Sequence, residues 1–238
     1  FDRHCRRCYT LRMRKIAVVV YGPPGSGKGT QARFTADKFG LIHFDTGRFF
    51  EAVVHDPKRQ REKLMKRERR LFDTGKLLTP SWVLRVVSEE VKRIAKASLG
   101  VVFSGSPRTM FEARGLLPVL DKLYGRKNIF VFVLRVPDAV SVKRNSSRLI
   151  CSVCGSPLLT AYYPKVKPKY CPVCGGSFYK RTLDNPATIR IRLKEYRERT
   201  EPIVGLLRER GYRVTFVDGT TAPFKVFQKI NAKIGGRD

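Results

Sequence analysis

Residues 15–34 read KIAVVVYGPPGSGKGTQARF, and no other stretch restricts the possible folds as tightly. An unbroken apolar run rich in valine predicts a strand covered on both faces. The glycines that follow let the backbone turn sharply, and a helical pattern starts near residue 30. A strand that passes through a glycine loop into a helix N-terminus is suited to holding phosphate. Loop N–H groups turn inward, the helix dipole favours an anion, and a lysine reaches the outer phosphates. Gly22, Gly25, Ser26, Gly27, Lys28, Gly29 and Thr30 are therefore candidate nucleotide-binding residues. The plain alternative, a glycine-rich turn that happens to contain a lysine, accounts for neither the strand before it nor the helix after it.

Four further apolar runs, LIHFD, VVFSG, NIFVFVLRV and YRVTFVDG, alternate with helical patterns at about 30–39, 80–97, 111–124, 138–149, 187–210 and 223–234. Continuous apolar strands separated by helices predict an α/β fold with a five-stranded parallel sheet. Two stretches break the alternation. Residues 46–75 read as an all-helical, charge-dense insertion, and 150–179, rich in Cys, Pro, Gly and Tyr, as a small β or loop unit. Residues 1–14 read as a disordered extension upstream of a natural start near Met13, with Cys5 and Cys8 in an unstructured tail. The longest apolar run, IFVFVL, is far short of a membrane span, and the basic opening lacks the cleavage site of a secretory signal.

The second stretch holds CSVC at 151–154 and CPVC at 171–174, separated by sixteen residues. Each pair can form a turn that presents two thiolates to one ion. Cys151, Cys154, Cys171 and Cys174 thus suit a closed, structural Zn²⁺ site, with free thiols or disulfides as the alternatives. A metal would hold together a segment too short to bury a core of its own. Paired cysteines in a chain without an export signal favour a reducing, cytoplasmic compartment.

GPPGSGKGTQ, with Gly-Thr after the lysine, resembles the nucleotide loop of adenylate kinases and related nucleoside monophosphate kinases. Other segments resemble the family in order along residues 15–230: DTG at 45–47, GKLLTP at 75–80, GSPRT at 105–109, RNSSR at 144–148, KRTLDN at 180–185, IRLKEYRERTEP at 191–202 and VDGT at 217–220. The resemblance implies a P-loop three-layer fold whose core comprises 15–44, 76–142 and 180–238. It also implies a helical nucleoside-monophosphate-binding insertion at 45–75 and a zinc-bearing lid at 143–179. The implied reaction moves the γ-phosphoryl group of MgATP to a nucleoside monophosphate, AMP first among them, in a monomer. Lys28, Arg144 and Arg148 are then expected on the donor phosphates, Arg108 on the acceptor phosphate, and Arg181 and Arg192 on the transferring group. Arginine suits this because its planar fork binds two phosphate oxygens and keeps its charge. The i, i+4 spacing of Arg144 and Arg148 predicts one shared helix face.

Around the acceptor the chain departs from the family pattern. Thr46 is retained, but Arg48 stands in place of an aspartate and Glu51 in place of the acceptor-binding arginine. Those two, one turn apart, are expected to pair while Arg48 takes over the phosphate. Ser104 replaces an aspartate that orders the hydration of Mg²⁺, and Ser106 a phenylalanine. Glu112 replaces a glutamine that reads adenine, and an acceptor-only carboxylate there favours GMP or CMP.

The formal net charge of +29, with eight basic and three acidic residues over 56–70, leaves a second class open: a nucleic-acid-binding or ribosome-associated ATPase on the same fold. Residues 56–70 lack aromatics for base stacking, which makes nucleic acid the lesser reading.

Overall fold

The computed structural model describes residues 14–160, 163 and 165–235. The proposed extension, with Cys5 and Cys8, lies almost wholly outside them. Five parallel strands form the central sheet: β1 (Ala17–Tyr21), β2 (Leu41–Phe44), β3 (Gly100–Phe103), β4 (Ile129–Arg135) and β7 (Arg213–Asp218), in the order β2-β3-β1-β4-β7. Every side chain of β1 is buried, as expected of the middle strand of a sheet covered on both faces.

Alternate residues of the strands go to opposite layers. Ala17, Val19, Val101, Phe103, Val131 and Val133 pack with α4 (Pro80–Lys96) and α5 (Met110–Tyr124). Ile16, Val18, Val20, Phe130, Phe132 and Leu134 pack with α1 (Lys28–Phe39) and α9 (Pro223–Gly235). The five strands predicted from apolar runs are the five strands of the sheet. Because β1 is flanked by β3 and β4, the chain leaves it at the point where the connections diverge, and a crevice opens at the carboxyl ends of the strands.

Residues 46–75 fold as α2 (Thr46–Val54), a 3₁₀ turn and α3 (Lys63–Asp73). Glu68, fully buried, holds this unit to the core by accepting from the Thr79 N–H at 2.8 Å and from Thr79 Oγ1 at 2.6 Å, which stabilises the start of α4. Among its described residues the cysteine-bearing segment has one pair of strands, β5 (Ile150–Cys151) antiparallel with β6 (Phe178–Tyr179), and two isolated bridges.

Residues 187–210 are helical as expected but not regular: α7 (Pro186–Glu195) widens into a π turn at Tyr196–Thr200, and α8 (Ile203–Glu209) follows with Glu201 and Pro202 still in the right-handed helical region. Pro202 has no N–H to continue the ladder, so the backbone widens before it. One helix expectation is corrected. The helix expected at 138–149 is α6 (Asp138–Ser146). Arg148 therefore lies beyond its end, and Arg144 and Arg148 do not share a helix face.

Candidate nucleotide-binding site

At the carboxyl edge of the sheet lies a cavity of about 930 Å³. The loop from Gly22 to Thr30 forms its floor, and Arg48, Arg108, Arg144, Arg148, Arg181 and Arg192 all reach its wall. Gly25 has φ +76°, and a Cβ there would stand 2.5 Å from Asn145 Nδ2 and 2.8 Å from the Ser141 carbonyl. Glycine is thus required for the loop to lie against α6, where Ser141 Oγ donates to the Pro24 carbonyl. Gly27 and Gly29 meet nothing within 4 Å where a Cβ would be, which leaves an open cradle above the N-terminus of α1.

Lys28 Nζ donates to the carbonyls of Gly22 at 2.7 Å and Pro23 at 2.9 Å. Burial pulls its pKa well below the usual lysine value, and Arg108, Arg192 and Arg148 add to the pull. Burial also lowers Arg108, whose Nε donates to the Gly105 carbonyl at 2.6 Å. Burial, Arg148, Arg181 and Arg108 push Arg192 down to about 9. A guanidinium keeps its proton at neutral pH, and the downward push reflects loss of solvent first and neighbouring cations second, the part that a bound polyanion offsets. Among the described residues Ser26 Oγ and Arg181 Nε are buried without a partner, as groups awaiting phosphate oxygens would be.

One buried carboxylate organises the arginines. Asp184 receives Arg148 in a two-point contact at 2.9 and 2.6 Å and lies 3.6 Å from Arg192. Arg144 instead ties α6 to the loop after β7, donating to the carbonyls of Gly219 at 2.7 Å and Thr220 at 3.0 Å. Thr200 Oγ1, in the π turn, donates to the Arg108 carbonyl at 2.8 Å. Beside the loop, His43 Nε2 and Ser104 Oγ are 2.7 Å apart, and burial lowers the His43 pKa.

The expected Arg48–Glu51 pair is not formed. Glu51 pairs instead with Arg181, 130 residues away, and the Arg48 guanidinium lies so close to Gly155 that a Cβ there would stand 2.2 Å from it. Both side chains thus span from α2 to the cysteine-bearing segment or its exit. Arg33 of α1 also reaches that segment, donating to Ser156 Oγ at 2.5 Å.

Glu112 and Thr46 are not on the cavity wall. Thr46 is buried against the Gly105 turn. Glu112 is spent on a capping box: its carboxylate accepts from the Arg108 N–H at 2.8 Å and from Thr109 Oγ1 at 3.0 Å, while its own N–H donates to Thr109 Oγ1 at 3.2 Å. Burial raises its pKa, and these donors oppose the rise. Replacement by alanine leaves the Arg108 N–H without its acceptor. Glu112→Ala is therefore expected to destabilise the fold by about 1–3 kcal/mol in chemical denaturation, with acceptor-base preference unchanged. A changed ratio of kcat/KM for AMP and GMP would return Glu112 to a base-reading role.

The four Sγ atoms of Cys151, Cys154, Cys171 and Cys174 lie within 4.8 Å of one another. The two halves match: Gly155 and Gly175 follow the second cysteine of each pair with φ +67° and +74°, and their N–H groups donate back to Cys151 and Cys171. Hydrogen bonds from Ser156 pull Cys154 down to about 6. At Cys174 the Gly176 N–H pulls downward, but Cys151 and burial outweigh it and bring the value up to about 11. Four crowded thiols that cannot all ionise unaided are a fitting donor set for a divalent, thiophilic cation.

A family model described as adenylate kinase matches residues 20–212. The chain is 32% identical over 202 residues to an adenylate kinase of Caldicellulosiruptor saccharolyticus, covering 85% of this chain and 91% of the relative. It is 31% identical over 215 residues to one of Methanosarcina barkeri (90% and 96%) and 35% identical over 205 residues to one of Paramagnetospirillum magneticum (85% and 91%). Among the described residues no helix is long and apolar enough to cross a membrane.

Proposed function

The chain belongs to the adenylate kinase family and is a nucleoside monophosphate kinase, and on that footing we propose that it transfers the γ-phosphoryl group of MgATP to AMP, giving two ADP. The observation that carries this reading is the convergence of Lys28, Arg108, Arg148, Arg181 and Arg192 on one cavity above an open glycine cradle. Phosphoryl transfer needs alignment and charge neutralisation more than covalent help from the protein. The loop N–H groups and Lys28 hold the donor phosphates, and Lys28 exchanges two loop carbonyls for phosphate oxygens as they arrive. Arg148 approaches from the donor side and Arg108 from the acceptor side. Arg192 and Arg181 stand between them, where negative charge spreads over the moving group. Arg144 serves indirectly, by fixing α6 and the loop after β7 around the cradle.

The oxygen donors on the cavity wall near Lys28 include Asp45, Ser104 and Thr30. They suit a Mg²⁺ that keeps most of its water and binds chiefly through ATP, and when bound it supplies further neutralisation of the phosphates. The four cysteines would hold a structural Zn²⁺ in the lid, residues 143–179. That lid and the insertion, 45–75, then close over the reacting groups and exclude water.

Engagement of Glu112 in the helix cap removes the main reason to favour GMP or CMP. ADP formation is to be measured from MgATP with AMP, GMP, CMP, UMP or dTMP and with no acceptor. AMP is expected to give the largest rate, and an acceptor-independent rate of equal size would point to an ATPase instead. With Glu51 in the position of an acceptor arginine, Arg48 is assigned to the acceptor phosphate, moving to it from Gly155. Arg48→Ala is expected to raise KM for AMP roughly tenfold, equivalent to about 1.4 kcal/mol, and to leave KM for ATP unchanged. An unaltered AMP KM would remove Arg48 from the acceptor site.

A further inference from the structure

Part of the cysteine-bearing segment lies off the kinase cavity. Between Leu149 and Leu183 the chain has no aspartate or glutamate, although a segment that only needed to cover a cleft would tolerate both. Residues 165–170 read KVKPKY, and none of them lines the cavity. Their backbone has no regular helix or strand, with a single bridge from Tyr170 to Ser177 fixing the end of the run. Lys165, Lys167 and Lys169 are exposed and have no carboxylate partner among the described residues. Two residues of extended chain span about 7 Å, so charges at every second position can spread along a strand instead of acting as a point charge.

Aromatic surface accompanies that charge. Tyr170 is 55% exposed, and Lys169 Nζ sits 5.3 Å from its ring centroid. The basic face of α3, the other dense charge cluster, lacks this pairing. Lys63, Lys66, Arg67 and Arg70 share one side of that helix, but Arg67 is engaged with Glu68 and no aromatic of α3 is exposed. Charge alone attracts any polyanion. A run of cations ending in an exposed ring is the combination that binds flexible strands, whose phosphates meet ammonium groups while a base stacks on the ring.

We propose that this part of the segment, residues 165–170, is a binding surface for single-stranded nucleic acid, with Lys165, Lys167 and Lys169 on successive phosphates and Tyr170 stacked on a base. The surface is separate from the kinase cavity and does not depend on which acceptor the kinase uses.

The test is fluorescence anisotropy with a labelled single-stranded RNA of about 12 nucleotides, using the zinc-loaded full chain with ATP and AMP present to fill the cavity. Binding is expected to weaken with salt. Replacing all three lysines by alanine should reduce the slope of log K against log salt by about 2. Tyr170→Ala should weaken binding at least about fivefold with the slope kept. ADP formation and zinc content report that each variant is folded, since none of the four residues belongs to the kinase machinery. Absence of RNA binding would overturn the proposal, as would binding that survives both changes. It would equally be overturned if binding were lost only on replacing Lys63, Lys66, Arg67 and Arg70, or if duplex RNA or anionic vesicles bound as tightly with no sensitivity to Tyr170→Ala.

Discussion

Lys28→Met is expected to lower kcat by about 10²–10³-fold while the melting temperature of the ligand-free protein stays within about 4 °C of the parent. The two effects separate because the lysine is held at a disadvantage in the absence of phosphate. Its ammonium is partly buried at the cavity floor, and Arg108, Arg192 and Arg148 repel it. Methionine of similar length removes that repulsion along with the two hydrogen bonds to Gly22 and Pro23, and the losses and gains largely offset. Nothing replaces the lysine when phosphates arrive. A kcat close to the parent would remove Lys28 from the mechanism, and a melting temperature that fell in step with activity would make it a structural residue.

The lowered pKa also sets a pH signature. Between the lowered Lys28 pKa and the ordinary lysine value near ~10.4, the unfolded chain binds a proton that the folded chain has released. Stability conferred by this group therefore rises with pH through that window. Phosphate binding raises the Lys28 pKa again, so ATP binding is expected to be accompanied by proton uptake within that window. Calorimetry in buffers of different ionisation enthalpy reads the uptake directly, and Lys28→Met should reduce it to the share contributed by Arg192, whose own value is about 9.

If the cysteine cluster holds the proposed Zn²⁺, its removal is expected to unfold residues 150–180 and leave the central sheet intact. The described residues between Ile150 and Lys180 bury only Ile150, Cys151, Leu158, Cys171 and Gly176, and β5 and β6 have two residues each. So small a core cannot hold itself, whereas a structural Zn²⁺ on four thiolates contributes on the order of 10 kcal/mol. Chelation, or Cys171→Ser, should raise amide exchange across 150–180 to that of unfolded chain, with β1 and β4 still protected. ADP formation should fall by at least about 10-fold, the loss of a closure step that aligns the phosphates and excludes water. Protein from zinc-replete growth that carried no zinc, or exchange unchanged by chelation, would remove the metal from the lid.

Parts of the site are written in local sequence. Thr109-Met-Phe-Glu112 is a capping-box signature, and the structure uses it as one, whereas the family pattern alone suggested a base reader. Pro202 stands in the middle of a predicted helix, and the helix widens into a π turn just before it. Other features had no local signal. Glu51 and Arg181 are 130 residues apart, and Arg148 and Asp184 are separated by 36. The expected Arg48–Glu51 pair followed the one-turn spacing, and the closer approach of Arg181 displaced it.

By itself the sequence determined what depends on spacing along the chain: five buried strands from unbroken apolar runs, the glycine loop between β1 and α1, and two matching cysteine knuckles. These follow from backbone geometry and side-chain periodicity acting over a few residues. Only the tertiary structure decided which of 49 lysines and arginines meet which of 20 carboxylates. An ion pair gains energy from distance and shared desolvation, and both are set by how remote segments pack. That is why Asp184 gathers Arg148 and Arg192, why Glu51 holds Arg181, and why Glu112 faces a helix end and not the cavity.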